Sequence, residues 1–230
     1  MAEVIDKVEG KIVNYDERRG VIVIEAPYTD FATMCRREYK TVEVTLLDSR
    51  PLSAKQRRCC YAMIGEIARW SGYDKDEAKE GMKFHFIESE LMNQMDYFSL
   101  SNAKMSLVAA FQRFLARFIV KNDVPTKVSM LEYVSDIPDY TYQCLIHKKC
   151  VICGKRADLH HVTAIGAGRD RDKIDHLGME VLPLCREHHN EIHSRGKDSF
   201  FKLYHLECGI EVDKTIAKIY SLHIDKKKAG

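Results

Sequence analysis

Two short pairs of metal-binding residue types, about 30 residues apart, constrain the fold of this 230-residue chain more than any other feature. The first pair is Cys150-x-x-Cys153, followed by Gly154, and the second is Cys185-x-x-His188. Two intervening residues let both ligands of a pair turn toward one ion, and a glycine permits the tight backbone turn. Because zinc prefers four such ligands in a tetrahedron, the spacing predicts a structural Cys3His zinc site.

The remaining cysteines and histidines support a metal site over disulfides. Six of the ten histidines lie between His160 and His193, and clustering of this kind in a cytosolic chain favours metal binding. Cysteines placed by chance would not account for the paired spacing. A redox or metal-storage role of the cysteine and histidine cluster is a further alternative. The other cysteines stand in apolar or helical contexts typical of reduced core thiols: Cys35, Cys59, Cys60, Cys144 and Cys208.

Four histidines outside that set form a second group of candidate ligands. His189 and His193 are four residues apart, so on a helix they share one face and can chelate one ion. His160 and His161 are adjacent, and neighbours on a strand point to opposite faces. One would bind the ion while the other faces another side of the site. Histidines can hold a divalent cation that keeps open coordination positions, and a neutral imidazole nearby can accept a proton from water. This arrangement suits metal-assisted hydrolysis.

The first 50 residues alternate between apolar and polar side chains as strands do. The pattern predicts strands over 10–15 and 20–25 joined by a turn, and a third strand over 39–46. Ser53 and Gln56 then fit a capping box, which predicts a helix that begins there and ends near 71–72.

Further helices are predicted by apolar residues at helical spacing. One spans about 74–86, and a clearer one spans about 101–120. Pro125 and Pro138 predict breaks in the chain beyond it. Two more helical segments are expected over 198–206 and 214–222. Strands followed by helices predict an α+β protein.

Composition excludes several classes of protein. Hydrophobic residues make up 45% and charged residues 30% of the chain, which argues against a disordered or fibrous protein. The net charge of +2 means that nucleic-acid binding would have to come from local basic patches. The sequence has neither a signal peptide nor an apolar run of the ~20 residues that span a bilayer. We therefore expect a cytoplasmic protein without membrane contact.

The region from Cys150 to His193 resembles the HNH nucleases, whose ββα-metal finger is stapled by zinc. The resemblance rests on CxxC, His160-His161, Leu184-Cys185-x-x-His188-His189 and His193, in that order. It implies that His160 is a metal ligand and that His161 is the general base that activates water against a phosphodiester. His189 and His193 would complete the catalytic metal site, which Mg²⁺, Mn²⁺, Ni²⁺ or Zn²⁺ could fill.

One position departs from that family's pattern. Glu180 stands where the family has asparagine, whose side chain ties the loop and helps to orient the base. Glutamate can accept the same hydrogen bond but cannot donate one. Asp175 or His176 could substitute, although His176 otherwise reads as a surface loop residue.

A glycine-rich basic loop lies between the two expected strands of the finger. In residues 166–173, glycines would let the backbone approach a phosphate, and Arg169 and Arg171 could bind it. The alternative is a flexible, solvated loop whose charges neutralise one another.

Residues 50–58 with the helix after them, residues 98–111 and residues 122–126 also follow a known pattern. Through them, residues 50–126 resemble, more loosely, the phage NinB/Orf family of recombination mediators, which bind single-stranded DNA and tend to dimerise. Tyr61 and Trp70 could stack on bases, although core packing is the alternative. Some basic residues could bind successive phosphates of a DNA strand, or could instead form a solvated helix face: Lys55, Arg57, Arg58, Arg113, Arg117 and Lys121.

Together these patterns predict two parts and one activity. Residues 1–135 would form a strand-plus-helix DNA-binding domain, and residues 136–230 the HNH finger with structural zinc. The function would be metal-dependent cleavage of single-stranded or branched DNA. The protein would be a phage-encoded nuclease that acts in recombination or replication in a bacterial cytoplasm, and it could form a homodimer. The alternative is a non-catalytic single-stranded-DNA-binding mediator with a structural zinc finger.

Overall fold

A β-hairpin lies in the N-terminal unit. The computed structural model describes residues 8–37, 41, 42, 44, 52–90, 97–162 and 174–224, and it divides the chain into units 1–47 and 48–230. In the first unit, β1 (Lys11–Asp16) pairs antiparallel with β2 (Val21–Glu25), as predicted. The Asp16 carboxylate accepts hydrogen bonds from the N–H groups of Arg18 and Arg19, which closes the turn.

A short helix that the sequence pattern did not predict follows this hairpin. It is α1 (Phe31–Arg37). The third strand predicted over 39–46 lies largely outside the described residues.

The second unit begins with the helix that the capping box predicts. In α2 (Ala54–Ser71), the Ser53 hydroxyl accepts a hydrogen bond from Gln56 N–H at 3.1 Å, and the Gln56 side chain accepts one from Ser53 N–H. Gly72 ends the helix with φ of +82°, a left-handed conformation that favours glycine. Both helix boundaries are therefore set by local chemistry.

The core of the second unit is built around an aromatic cluster. It joins α3 (Lys75–Ser89) to α4 (Met105–Lys121), whose apolar stripe is confirmed. Phe111 is fully buried, and its ring centroid lies 5.3 Å from that of Phe86 and 5.4 Å from that of Phe98. This packing of α4 against its neighbours accounts for the strong helical periodicity of its sequence.

The finger follows α5 (Ile137–Ile146). Pro138, at which the sequence predicts a break, lies in the first turn of this helix. The elements of the finger are β3 (Asp158–His161), β4 (Glu180–Leu184), α6 (Arg186–Arg195), α7 (Lys197–Tyr204), β5 (Ile210–Glu211) and α8 (Lys214–Tyr220). Strands β3 and β4 pair antiparallel, and the helical segments expected near 198–206 and 214–222 are confirmed as α7 and α8. Strand β4 lies between β3 and β5 in an antiparallel sheet.

A large hydrophobic core runs through most of the second unit, beside a smaller cluster around Leu145 and Ile216. The large core includes Phe111 of α4, Tyr140 of α5, Leu184 of β4 and Phe200 of α7. The α+β class is confirmed. The division into domains 1–135 and 136–230 stays a prediction, and the apolar packing is continuous across it. Among the residues that the structure describes, no helix has the length and apolarity needed to span a bilayer.

The aromatic cluster gives a stability prediction. Phe111→Ala removes a fully buried ring, and we expect it to lower the free energy of unfolding by about 3–5 kcal/mol. Phe84→Ala is the matched control, because that ring on α3 is 67% exposed, and it should cost less than about 0.5 kcal/mol. Urea denaturation measures both, and equal losses would contradict this description of the core.

Candidate metal centres and active site

The first cysteine pair lies on a tight turn between α5 and β3. Cys150 N–H donates to the Lys155 carbonyl, and Gly154 N–H donates to the Cys150 carbonyl at 2.8 Å. Gly154 has φ of +70°, as the CxxCG pattern predicts. Val151 N–H donates to the Pro183 carbonyl at 3.0 Å, which attaches this turn to β4.

The second pair lies at the start of α6. Cys185 is the residue before the first turn of that helix, and His188 follows within the turn. The Cys185 carbonyl accepts a hydrogen bond from His189 N–H at 2.8 Å, so the helix itself fixes the spacing of these side chains. Cys185 is 5% exposed.

The structure brings the four ligand atoms of the two pairs together. Those of Cys150, Cys153, Cys185 and His188 all lie within 4.8 Å of one another. The sulfurs of Cys153 and Cys185 are 3.7 Å apart, and Cys150 Sγ lies 3.5 Å from His188 Nδ1. A zinc tetrahedron with Zn–S bonds of about 2.3 Å has edges of about 3.8 Å between sulfurs and about 3.5 Å between sulfur and nitrogen. The donor set and its spacing fit a zinc ion.

Burial around this cluster makes a cation electrostatically favourable. It raises the pKa of the Cys150 thiol to about 12 and lowers the pKa of His188. A buried thiolate is stable only beside a positive charge. The cluster can therefore hold a metal whose charge offsets the cost of deprotonating its cysteines.

Three histidines of β3 and α6 form a second group. His160 of β3 faces His189 and His193 of α6, with ring centroids 4.8 and 5.1 Å away, and their ligand atoms lie within 4.8 Å of one another. His160 is 8% exposed, whereas His193 is exposed. The group is thus closed on one side and open to solvent on the other.

Two of the three imidazoles, those of His160 and His189, are held in the form that binds metal. Burial, followed by the neighbouring histidines, lowers the pKa of His160 to about 4. Burial and His193 also lower the pKa of His189. A neutral imidazole carries the lone pair that a cation needs. Three protein ligands leave at least one position for water or substrate, which is typical of catalytic metal sites.

His161 has a partner that the sequence offered only as one of two substitutes for the asparagine of the family. Its Nε2 lies 3.0 Å from Nδ1 of His176, in the loop that precedes β4. His176 is 4% exposed, so the expectation of a surface loop residue is wrong. The available signal was a count: the other five histidines between His160 and His193 already had a role as ligand or base.

Glu180 takes part in the site mainly through its backbone. Its carbonyl accepts a hydrogen bond from Val162 N–H at 2.9 Å, which extends the pairing of β3 with β4. Its carboxylate lies 3.8 Å from Lys197 Nζ. Its expected role in orienting the base stays a prediction.

Several of the predicted DNA-binding residues have partners within the chain. Arg117 donates to the Asp139 carboxylate through two nitrogens, the closer at 2.6 Å, and Arg113 lies 3.7 Å from Asp136. Arg57 donates to the Ser101 carbonyl at 3.0 Å. Binding a phosphate at α4 would have to compete with these ion pairs.

Other candidates for DNA contact lie on the surface of α2. Lys55 and Arg58 are exposed there. Tyr61 and Trp70 are 47% and 45% exposed. Core packing, the alternative to base stacking for these residues, therefore does not bury either side chain. Arg169 and Arg171 lie outside the described residues.

A β3–β4 pair followed by α6, with histidines of β3 and α6 around one point, defines a ββα unit able to bind metal. The chain belongs to a nuclease family: a family model described as "Putative HNHc nuclease" matches residues 27–223. No curated protein and no solved structure shows a significant match to the chain. The membership supports a nuclease function and agrees with the resemblance drawn from the Cys/His spacing.

The lowered pKa of His160 makes stability depend on pH. An unfolded histidine protonates near 6.5, whereas folded His160 protonates near 4. The unfolded chain therefore binds more protons in this window, and the free energy of unfolding falls as pH is lowered through it. His160→Asn removes this contribution.

We expect the stability of wild type relative to His160→Asn to decrease between about pH 7 and about pH 5. Urea unfolding at both pH values, with only stoichiometric zinc present, measures it. A difference that is the same at both values would contradict the assigned environment of His160.

Proposed function

We propose that this protein is a metal-dependent endonuclease that hydrolyses DNA phosphodiester bonds. The observation that carries the proposal is the arrangement along β3. His160 meets two histidines of α6, and the adjacent, half-buried His161 lies outside that group. One strand thus supplies a metal ligand and a candidate base from neighbouring residues.

The residues divide the chemistry between them. His160, His189 and His193 would hold a divalent cation, Mg²⁺, Mn²⁺, Ni²⁺ or Zn²⁺, which would stabilise the charge that develops on the phosphate and the leaving oxygen. His161 would accept a proton from the attacking water, a role suited to an imidazole. Cys150, Cys153, Cys185 and His188 would hold structural zinc.

The surface of α2 supports single-stranded or branched DNA as the substrate. Exposed aromatic rings stack on unpaired bases, and nearby basic side chains bind the backbone. Tyr61 and Trp70 are half-exposed, and Lys55 and Arg58 are exposed on the same helix. A role in phage recombination and formation of a homodimer are further parts of the proposal, and they rest on the resemblance of residues 50–126 alone.

A nicking assay tests the activity. Wild type should cleave plasmid, single-stranded or branched DNA in the presence of Mg²⁺, Mn²⁺ or Ni²⁺, and His161→Ala should be slower by about 10²–10⁴-fold because the base is lost. His205→Asn is the matched control, since that exposed histidine lies outside both groups. Wild type and His161→Ala that bind DNA but are equally inert would favour the non-catalytic mediator with a structural zinc finger.

The structural zinc gives a separate prediction. Cys150→Ser should lose bound zinc and several kcal/mol of stability, because metal binding contributes directly to folding. Cys208→Ser, at an exposed cysteine, should change neither. Metal content by mass spectrometry and urea unfolding measure both quantities. A Cys150→Ser protein with wild-type zinc and stability would refute the four-ligand assignment.

A further inference from the structure

The contact between two imidazoles beside the metal-binding histidines points to a role for His176. His161 Nε2 and His176 Nδ1 are 3.0 Å apart, with the two rings tilted by 43°. In a neutral imidazole one nitrogen carries the proton and the other a lone pair. A hydrogen bond at this distance therefore needs a proton on one of the two facing nitrogens and a lone pair on the other.

Burial separates the roles of the two rings. His176 is 4% exposed, whereas His161 is only half-buried at the end of β3. Part of His161 is therefore accessible to solvent, whereas His176 is almost completely enclosed. Of the two, only His161 is placed to exchange a proton with a substrate.

The backbone around His176 is held from three sides. Its N–H donates to the His223 carbonyl at 3.0 Å, and its carbonyl accepts from Met179 N–H at 3.1 Å. Gly178 N–H, two residues on, donates to the Val212 carbonyl. These bonds attach the loop to the segments before and after α8. They therefore fix the position of the His176 backbone beside β3.

We propose that His176 is a positioning residue whose Nδ1 accepts a hydrogen bond from Nε2–H of His161. This inference rests on the proposed function, in which His161 is the base. With its proton held on Nε2, His161 keeps its lone pair on Nδ1, where it can accept the proton of the attacking water. The Nε2–H bond persists when the ring becomes an imidazolium, so His176 also stabilises the charged ring, as the carboxylate does in a hydrolase triad.

The tautomer of His161 tests this arrangement without any cleavage. In the zinc-loaded full-length protein at mildly alkaline pH, ¹⁵N NMR should find His161 protonated on Nε2 and unprotonated on Nδ1. A proton on Nδ1 would overturn the proposal, because that nitrogen could then not act as the base. This readout does not depend on whether a variant folds.

Two amide substitutions test the catalytic consequence as a matched pair. His176→Asn keeps an acceptor oxygen at the place of Nδ1, whereas His176→Gln moves it one bond outward. We expect His176→Asn to stay within about tenfold of the wild-type kcat and His176→Gln to lose about 10²-fold, with KM unchanged in both. Zinc content and thermal stability verify that the two variants are equally folded.

Each outcome separates the two proposals. Equal kcat values for folded Asn and Gln variants would overturn the positioning role while leaving nuclease activity intact. A wild-type protein that cleaves none of the DNA substrates would overturn the proposed function, and the ¹⁵N measurement would still decide whether His176 sets the tautomer of His161.

Discussion

The rest of the finger depends on the convergence of three cysteines and one histidine. Cys150 and Cys153 lie on the turn before β3, and Cys185 and His188 lie at the start of α6. A zinc ion shared by these side chains would join the turn to the helix at the point where both meet β4. Because His189 directly follows His188, the same linkage sets the rotation of α6 and turns its next histidines toward β3.

The number of ligands gives the two candidate metal centres different properties. The cysteine cluster offers four protein ligands, of which Cys150 and Cys185 are buried and Cys153 is exposed, and a complete tetrahedron suits an ion that stays in place and contributes to folding. The histidine group offers three ligands and is exposed at His193, which leaves room for water and a phosphate. One short helix thus contributes ligands to a four-ligand group and to a three-ligand group.

Features with local physical causes could be predicted from the sequence. Ser53 and Gln56 cap α2 through side chains three residues apart, and the apolar stripe of α4 follows helical periodicity. The Cys3His group and the pairing of His189 with His193 follow from residue spacing, whereas the choice of His160 as their companion came from the resemblance to HNH nucleases. Pro138 predicts a break, yet it lies in the first turn of α5, where its missing N–H costs no hydrogen bond.

Features that arise from distant contacts could not be predicted. His176 meets His161 across 15 positions of sequence, and no periodicity marks a loop residue that packs inward. The pairing of Arg117 with Asp139 likewise depends on how α4 meets α5. The predicted boundary at 135/136 follows a change in sequence pattern, whereas the apolar core includes residues on both sides of it.

X-ray absorption at the zinc edge tests the central claim most directly, because it reports the ligand atoms around the metal. Full-length protein carrying one equivalent of zinc should give three sulfur ligands at about 2.3 Å and one nitrogen at about 2.0 Å. A spectrum with only nitrogen and oxygen ligands, or a folded protein that retains no zinc, would contradict the account.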